Sequence, residues 1–125
     1  MAQITDGTSN SLTFMEAAGG PQLYLLNRPV AGTTPNTQMW ADHRNYSTLD
    51  GANPATGMTD DTAATRPQRT MAINGTNDSE PYSLHPGGVN ALRADDSIVF
   101  LKNSVTIGIV AALITRDQGE VLPDY

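Results

Sequence analysis

The chain has 125 residues, 38% of them apolar and 16% charged, which suits a single domain with one core. Its formal charge is −6, and its basic residues are one lysine, Lys102, and scattered arginines, so no basic stripe exists to follow a phosphate backbone and nucleic acid is excluded as a partner. It has no cysteine, which excludes disulfides, thiolate metal sites and cysteine nucleophiles, and no apolar run approaches the ~18 residues of a membrane span.

Residues 6–10, Asp-Gly-Thr-Ser-Asn, carry turn chemistry. From Ser11 to Ala17, Leu12 and Phe14 alternate with Thr13, which predicts a half-buried strand with both apolar side chains on one face. Ala18-Gly19-Gly20-Pro21 breaks it, and Gln22 to Leu26 reads as a second short strand. Residues 28–38, with two prolines, a glycine and several Thr and Asn, read as loop; Met39-Trp40-Ala41 opens a third apolar patch. Between Asp42 and Arg69 little periodicity survives, which predicts a surface excursion with one short strand near Ser47–Leu49.

The last third is more legible. Tyr82-Ser83-Leu84 reads as a strand, His85-Pro86-Gly87-Gly88 as a tight turn and Val89 to Ala94 as a strand. Asp95-Asp96-Ser97 forms a second turn, and Ile98-Val99-Phe100-Leu101 is a strand with apolar groups on both faces. Ile107, Val110, Ala111 and Ile114 recur at i, i+3, i+4 and i+7, one face of a helix over roughly 106–116, with Thr106 placed to cap its start and Gly119 to stop it. The expected fold is α+β, mainly β: an antiparallel meander, one C-terminal helix and long irregular loops in a single domain over 1–125. Its core is expected to hold Leu12, Phe14, Leu23, Leu25, Trp40, Leu84, Leu92, Val99, Leu101, Ile107, Val110 and Ile114.

The run His85-Pro-Gly-Gly-Val-Asn-Ala-Leu-Arg-Ala-Asp95-Asp96-Ser-Ile-Val-Phe-Leu101 resembles the signature of the prepilin-type processing-associated proteins that carry a His, nine residues, then Asp-Gly. Ile4-Thr-Asp-Gly-Thr-Ser-Asn10, Glu16 after its apolar strand, Trp40-Ala41-Asp42, Ile73-Asn74-Gly-Thr-Asn77, Tyr82-Ser83 and the tail Leu113-Ile-Thr-Arg-Asp-Gln-Gly-Glu-Val121 resemble further segments of that family, in order. There are departures. Asp96 stands at the family's Gly, and Gly75 stands where many relatives carry a Cys, so a disulfide sometimes seen there is absent. The prepilin leader and hydrophobic helix are missing too, so the chain is expected to be the soluble head alone, making no membrane contact by itself.

The resemblance implies relatives of type IV pilins and of type II secretion pseudopilins, exported to the cell surface, with no agreed catalytic residues to carry over. The expected function is a structural or interaction module binding other surface or pilus-like proteins or glycans through polar loops, chiefly 27–38 and 43–80. The rival is a small secreted hydrolase or carbohydrate-active protein with a site around His85, Asp95, Asp42 and His43.

His85 and Asp95 flank one strand, whose ends lie roughly 25–30 Å apart if extended, so direct contact between them is not expected. They read either as turn-formers or as one ligand or acid/base group with a partner from elsewhere. Pseudopilin-type heads can bind calcium in an acidic loop, and Asp95 and Asp96 are the candidates here, although two adjacent carboxylates supply only part of calcium's six to eight oxygens. With two histidines, His43 and His85, and no cysteine, a zinc site would need a carboxylate.

Overall fold

The computed structural model describes residues 3–35, 47–59, 62–115 and 117–119. Three antiparallel strands form the main sheet: β1 (Leu12–Met15), β4 (Gly88–Arg93) and β5 (Ile98–Lys102), in the order β1-β4-β5. A separate two-stranded ribbon pairs β2 (Tyr24–Leu25) with β3 (Arg28–Pro29). Helix α1 (Ile107–Ile114) follows β5, and single 3-10 turns occupy Thr8–Asn10 and Arg66–Gln68. This is the α+β, mainly β architecture expected from the sequence, with the meander and the C-terminal helix in place.

Two turns explain the meander. Asp95 accepts from the Ser97 N–H at 3.0 Å and its hydroxyl at 2.6 Å, and Asp96 takes the left-handed φ of 66° at the position where Gly would be easiest. Before β4, Ser83 Oγ donates to the Gly88 carbonyl at 2.6 Å and accepts from the His85 N–H at 3.1 Å. Thr106 caps α1 by accepting from the Ile109 N–H at 3.4 Å, and the helix ends at Ile114, two residues earlier than expected.

The core packs one sheet face on α1. Val89, Ala91 and Leu101 from the strands meet Val110 and Leu113 from the helix, closed by Ala72, Ile73 and Val105. Several expected core residues lie elsewhere. Phe14 is 72% exposed, because a bulge separates the pairs Leu12↔Arg93 and Phe14↔Leu92. The extra residue flips the alternation, so Leu12 and Met15 face the helix while Phe14 faces away. Ile114 is exposed and Leu113 buried instead: α1 reads Ile-Gly-Ile-Val-Ala-Ala-Leu-Ile, apolar almost all round, so its sequence does not single out the buried stripe. Leu84 is exposed because it sits in the turn fixed by Ser83. Leu23, Leu25, Leu92, Val99 and Ile107 are half-buried, and Trp40 lies outside the described residues.

The other differences are local. The expected strand Gln22–Leu26 stops at Leu25. Leu26 and Asn27 both take positive φ, 49° and 63°, and turn the chain back into β3, where loop was expected. No strand forms at Ser47–Leu49, and Tyr82 makes only a single bridge, to Ala17. The expected surface excursion is mostly exposed where it is described, at 54–56, 62–64 and 66–68 above all, whereas the chain that follows it is interior: residues 72–77 and 80–83 are buried. Their polar side chains serve the backbone. Asn77 accepts from the Tyr24 N–H at 2.8 Å and donates to the Gln22 carbonyl at 2.8 Å, holding the ribbon to the body. Asn74, at φ 58°, accepts from the Ser83 N–H at 2.8 Å and donates to the Gly88 carbonyl at 3.2 Å and to Asn103 Oδ1 at 2.9 Å.

Gly88 begins β4 where backbones approach closely. A Cβ there would lie 2.0 Å from the Leu101 carbonyl oxygen, so only glycine allows the pairing. Gly88→Ala should therefore cost about 3 kcal/mol or more, read as a lower urea midpoint for the chain.

Candidate functional site

The sheet has two unlike faces. One is covered by α1; the other carries Phe14, Glu16, Asn90, Leu92, Ile98 and Phe100, with the registers Phe14↔Leu92↔Ile98 and Asn90↔Phe100 placing them in rows. Ile98 is 72% exposed and Phe100 43%. Exposed apolar side chains scattered singly are ordinary, but here they are neighbours on one sheet face, the arrangement that marks an interaction surface. The signal was in the sequence: Ile98-Val99-Phe100-Leu101 is apolar at odd and even positions alike, more than a strand with one solvated face requires.

At one end of this face lies His85. Its Nε2 is 3.1 Å from Glu16 Oε1, and the Glu16 carboxylate also accepts from the Asn90 N–H at 2.8 Å and the Asn90 side-chain amide at 3.0 Å. The backbone holds Glu16 as well: its N–H donates to the Asn90 carbonyl at 3.2 Å, and its carbonyl accepts from Tyr82 at 2.9 Å. Partial burial raises the Glu16 pKa, but the two Asn90 donors and the neighbouring imidazole outweigh it, and the carboxyl sits below its ordinary value of 4.5. Glu16 is thus the partner of His85 that the sequence left open; its only signal was its place after an apolar strand. Because its folded pKa is lowered, Glu16 stabilises the fold above pH 4.5, and that stability is lost as pH falls through the folded value. Glu16→Gln should flatten this acid limb, measured as melting temperature between about pH 3 and 5.

Asp95 is held apart from this pair. It follows the far end of β4, and its Oδ1 is occupied by Ser97, whose hydroxyl and N–H hold the carboxyl below the usual aspartate range. Asp96 follows it in the turn, its N–H donating to the Arg93 carbonyl at 3.1 Å. Among the described residues no three His, Asp or Glu side chains gather into a metal-sized cluster. Asp42 and His43 lie outside the described residues. Ser83, the hydroxyl nearest His85 in sequence, is buried and bonded to Gly88, so it is not presented to the imidazole as a nucleophile. What the pair can do chemically is orient an imidazole beside an apolar face.

Two clefts lie away from the pair. One, about 440 Å³, runs beside β1 and is lined by Leu12, Phe14, Met15, Ser47 and Ile114 among others. The second, about 450 Å³, lies between the β2–β3 ribbon and Ala55–Thr56. Neither contains His85 or Asp95.

No curated protein and no solved structure matches the chain. A family profile matches residues 1–108, most of its length. The chain therefore belongs to the family described as "Protein of unknown function (DUF1559)".

Proposed function

We propose that this chain is a structural and interaction module of a pilin-like exported bacterial surface protein, meeting other surface or pilus-like proteins or glycans. The family is one associated with pilin-like surface proteins, which supports the reading at its coarse level. The finer assignment, to the prepilin-type proteins with His, nine residues and Asp-Gly, rests on His85, Asp95 and the motifs around them. The observation that carries the module reading is the open apolar sheet face of Phe14, Ile98 and Phe100, opposite the face that α1 covers. The loops add polar surface at 27–34 and 62–68, most of it exposed. His85 paired with Glu16, and Asp95 bonded to Ser97, serve in this reading as turn and ledge residues.

Proteinase K, which has little sequence preference, tests the location when added to intact cells. Residues 62–64 and 66–68 are exposed, so a surface-displayed chain should be cut in this loop without lysis. Cleavage that begins only after lysis would place the protein inside the cell and overturn the proposal.

A further inference from the structure

The two edges of the main sheet differ. β1 is short and bulged and has Ser47 and Ile114 beside it, features that blunt an edge. β5 is five residues long, has no bulge and contains no proline. The Arg93 N–H donates to Ser97 at 2.9 Å and the Asn103 N–H donates to Gly87 at 2.8 Å, so the odd-numbered residues of β5 bond to β4. The N–H and C=O groups of Ile98 and Phe100 therefore point to the outer edge, where they have no hydrogen-bond partner among the described residues. Their side chains are the exposed apolar groups of the open face. Lys102, the one lysine, is exposed at the end of the same strand and makes no ion pair among the described residues.

We infer that this edge binds a second copy of the chain, by antiparallel pairing of β5 with its counterpart about a two-fold axis at Val99. The register is set by self-complementarity. With Val99 opposite Val99 of the second copy, Ile98 lies opposite Phe100, and both exchange their outward backbone bonds. The same register sets Lys102 of each copy across from Asp96 of the other. Moving the axis to Phe100 would set Lys102 against Ile98, and parallel stacking would set Lys102 on Lys102. At a net charge of −6 two copies repel, so the one register that pairs the lysine with an acid is favoured. The dimer joins two three-stranded sheets into one and doubles the open face. One strand per copy buries well under ~1,000 Å², so the expected affinity is weak, about 10 µM to 1 mM, a contact populated when copies are held close together.

This inference deepens the module reading and rests on it for the premise that the open face is used. Its test reads association of the purified chain, so its failure leaves the cell-surface result untouched. The chain has no cysteine, so Val99→Cys introduces one thiol at the axis, where non-hydrogen-bonded partners bring Cβ atoms to about 4.5–5.5 Å. Mild oxidation at about 0.1–1 mM should give a disulfide dimer, and Thr13→Cys on the opposite edge should not. In the Val99→Cys background, Lys102→Glu and Asp96→Lys should each reduce the dimer about tenfold. Mixing the two variants should restore it, because the heterodimer regains both opposite-charge pairs. Sedimentation of the unmodified chain and the two charge variants repeats the test without the cysteine. Absence of a Val99→Cys dimer together with concentration-independent sedimentation, or yields indifferent to the charge reversals, would overturn the proposal.

Discussion

Replacing Asn74 by Ala is expected to destabilise the chain by about 4 kcal/mol, among the largest effects of any single polar truncation in this fold. Three losses combine. The Ser83 N–H is left buried without its acceptor, Asn103 loses its donor, and alanine must adopt the φ of 58° that Asn tolerates better. Asn74→Gly keeps the backbone conformation and loses only the side-chain bonds, so it should fall between wild type and Asn74→Ala. Asn74→Asp keeps the acceptor for Ser83 but turns a second oxygen toward the Gly88 carbonyl and Asn103 Oδ1, and should be at least as damaging as alanine. Urea unfolding of the four proteins at one pH gives the order directly.

Glu80 should produce the second large effect, and its sign depends on pH. The side chain is only 2% exposed, and among the described residues its carboxylate accepts from the Thr48 hydroxyl at 3.1 Å, the Asp50 N–H at 2.9 Å and the Gly51 N–H at 3.4 Å. Burial outweighs these donors and pushes its pKa from 4.5 up to about 7. A carboxyl whose folded pKa is raised favours the fold fully below its unfolded value and loses that advantage as pH rises through the folded one. The Glu80 contribution is therefore present below pH 4.5 and gone above about 7, a change of roughly 3 kcal/mol at 1.36 kcal/mol per unit. Glu80→Gln should remove this decline, making the variant less dependent on pH between 4.5 and 7. Glu80→Ala should be destabilising throughout, by about 3 kcal/mol at pH 5 and by less at pH 8, because it strands two backbone donors but also removes a buried charge. With Glu16 acting in the opposite sense at lower pH, maximal stability is expected on the acid side of neutrality.

The meander and the helix were legible in the sequence because turn chemistry and periodicity agree there. Asp95-Asp96-Ser97 can make an Asx turn, and Thr106 stands directly before an apolar run. Two things were not legible. Nothing in Leu12-Thr13-Phe14-Met15 marks a bulge, so Phe14 read as core while it faces outward. And a stretch such as Asn74 to Glu80 looks like exposed loop by composition, because Asn, Thr and Glu are mostly surface residues. Here Asn74, Asn77 and Glu80 are buried because each satisfies a backbone group of another segment, at Ser83, Tyr24 and Asp50 in turn, and that pairing exists only in three dimensions. The candidate site follows the same division. His85 was visible as a turn residue, while its partner Glu16, 69 positions away, was not.

The open sheet face is the surface on which the protein is expected to meet its partners. Hydroxyl-radical footprinting measures this at Phe14 and Phe100 on intact cells displaying the protein and on the dilute purified chain. Slower oxidation of both rings on cells than in solution, with the exposed 62–68 loop cut equally fast by proteinase K in the two settings, is the expected result. Equal oxidation rates for Phe14 and Phe100 in the two settings would contradict it.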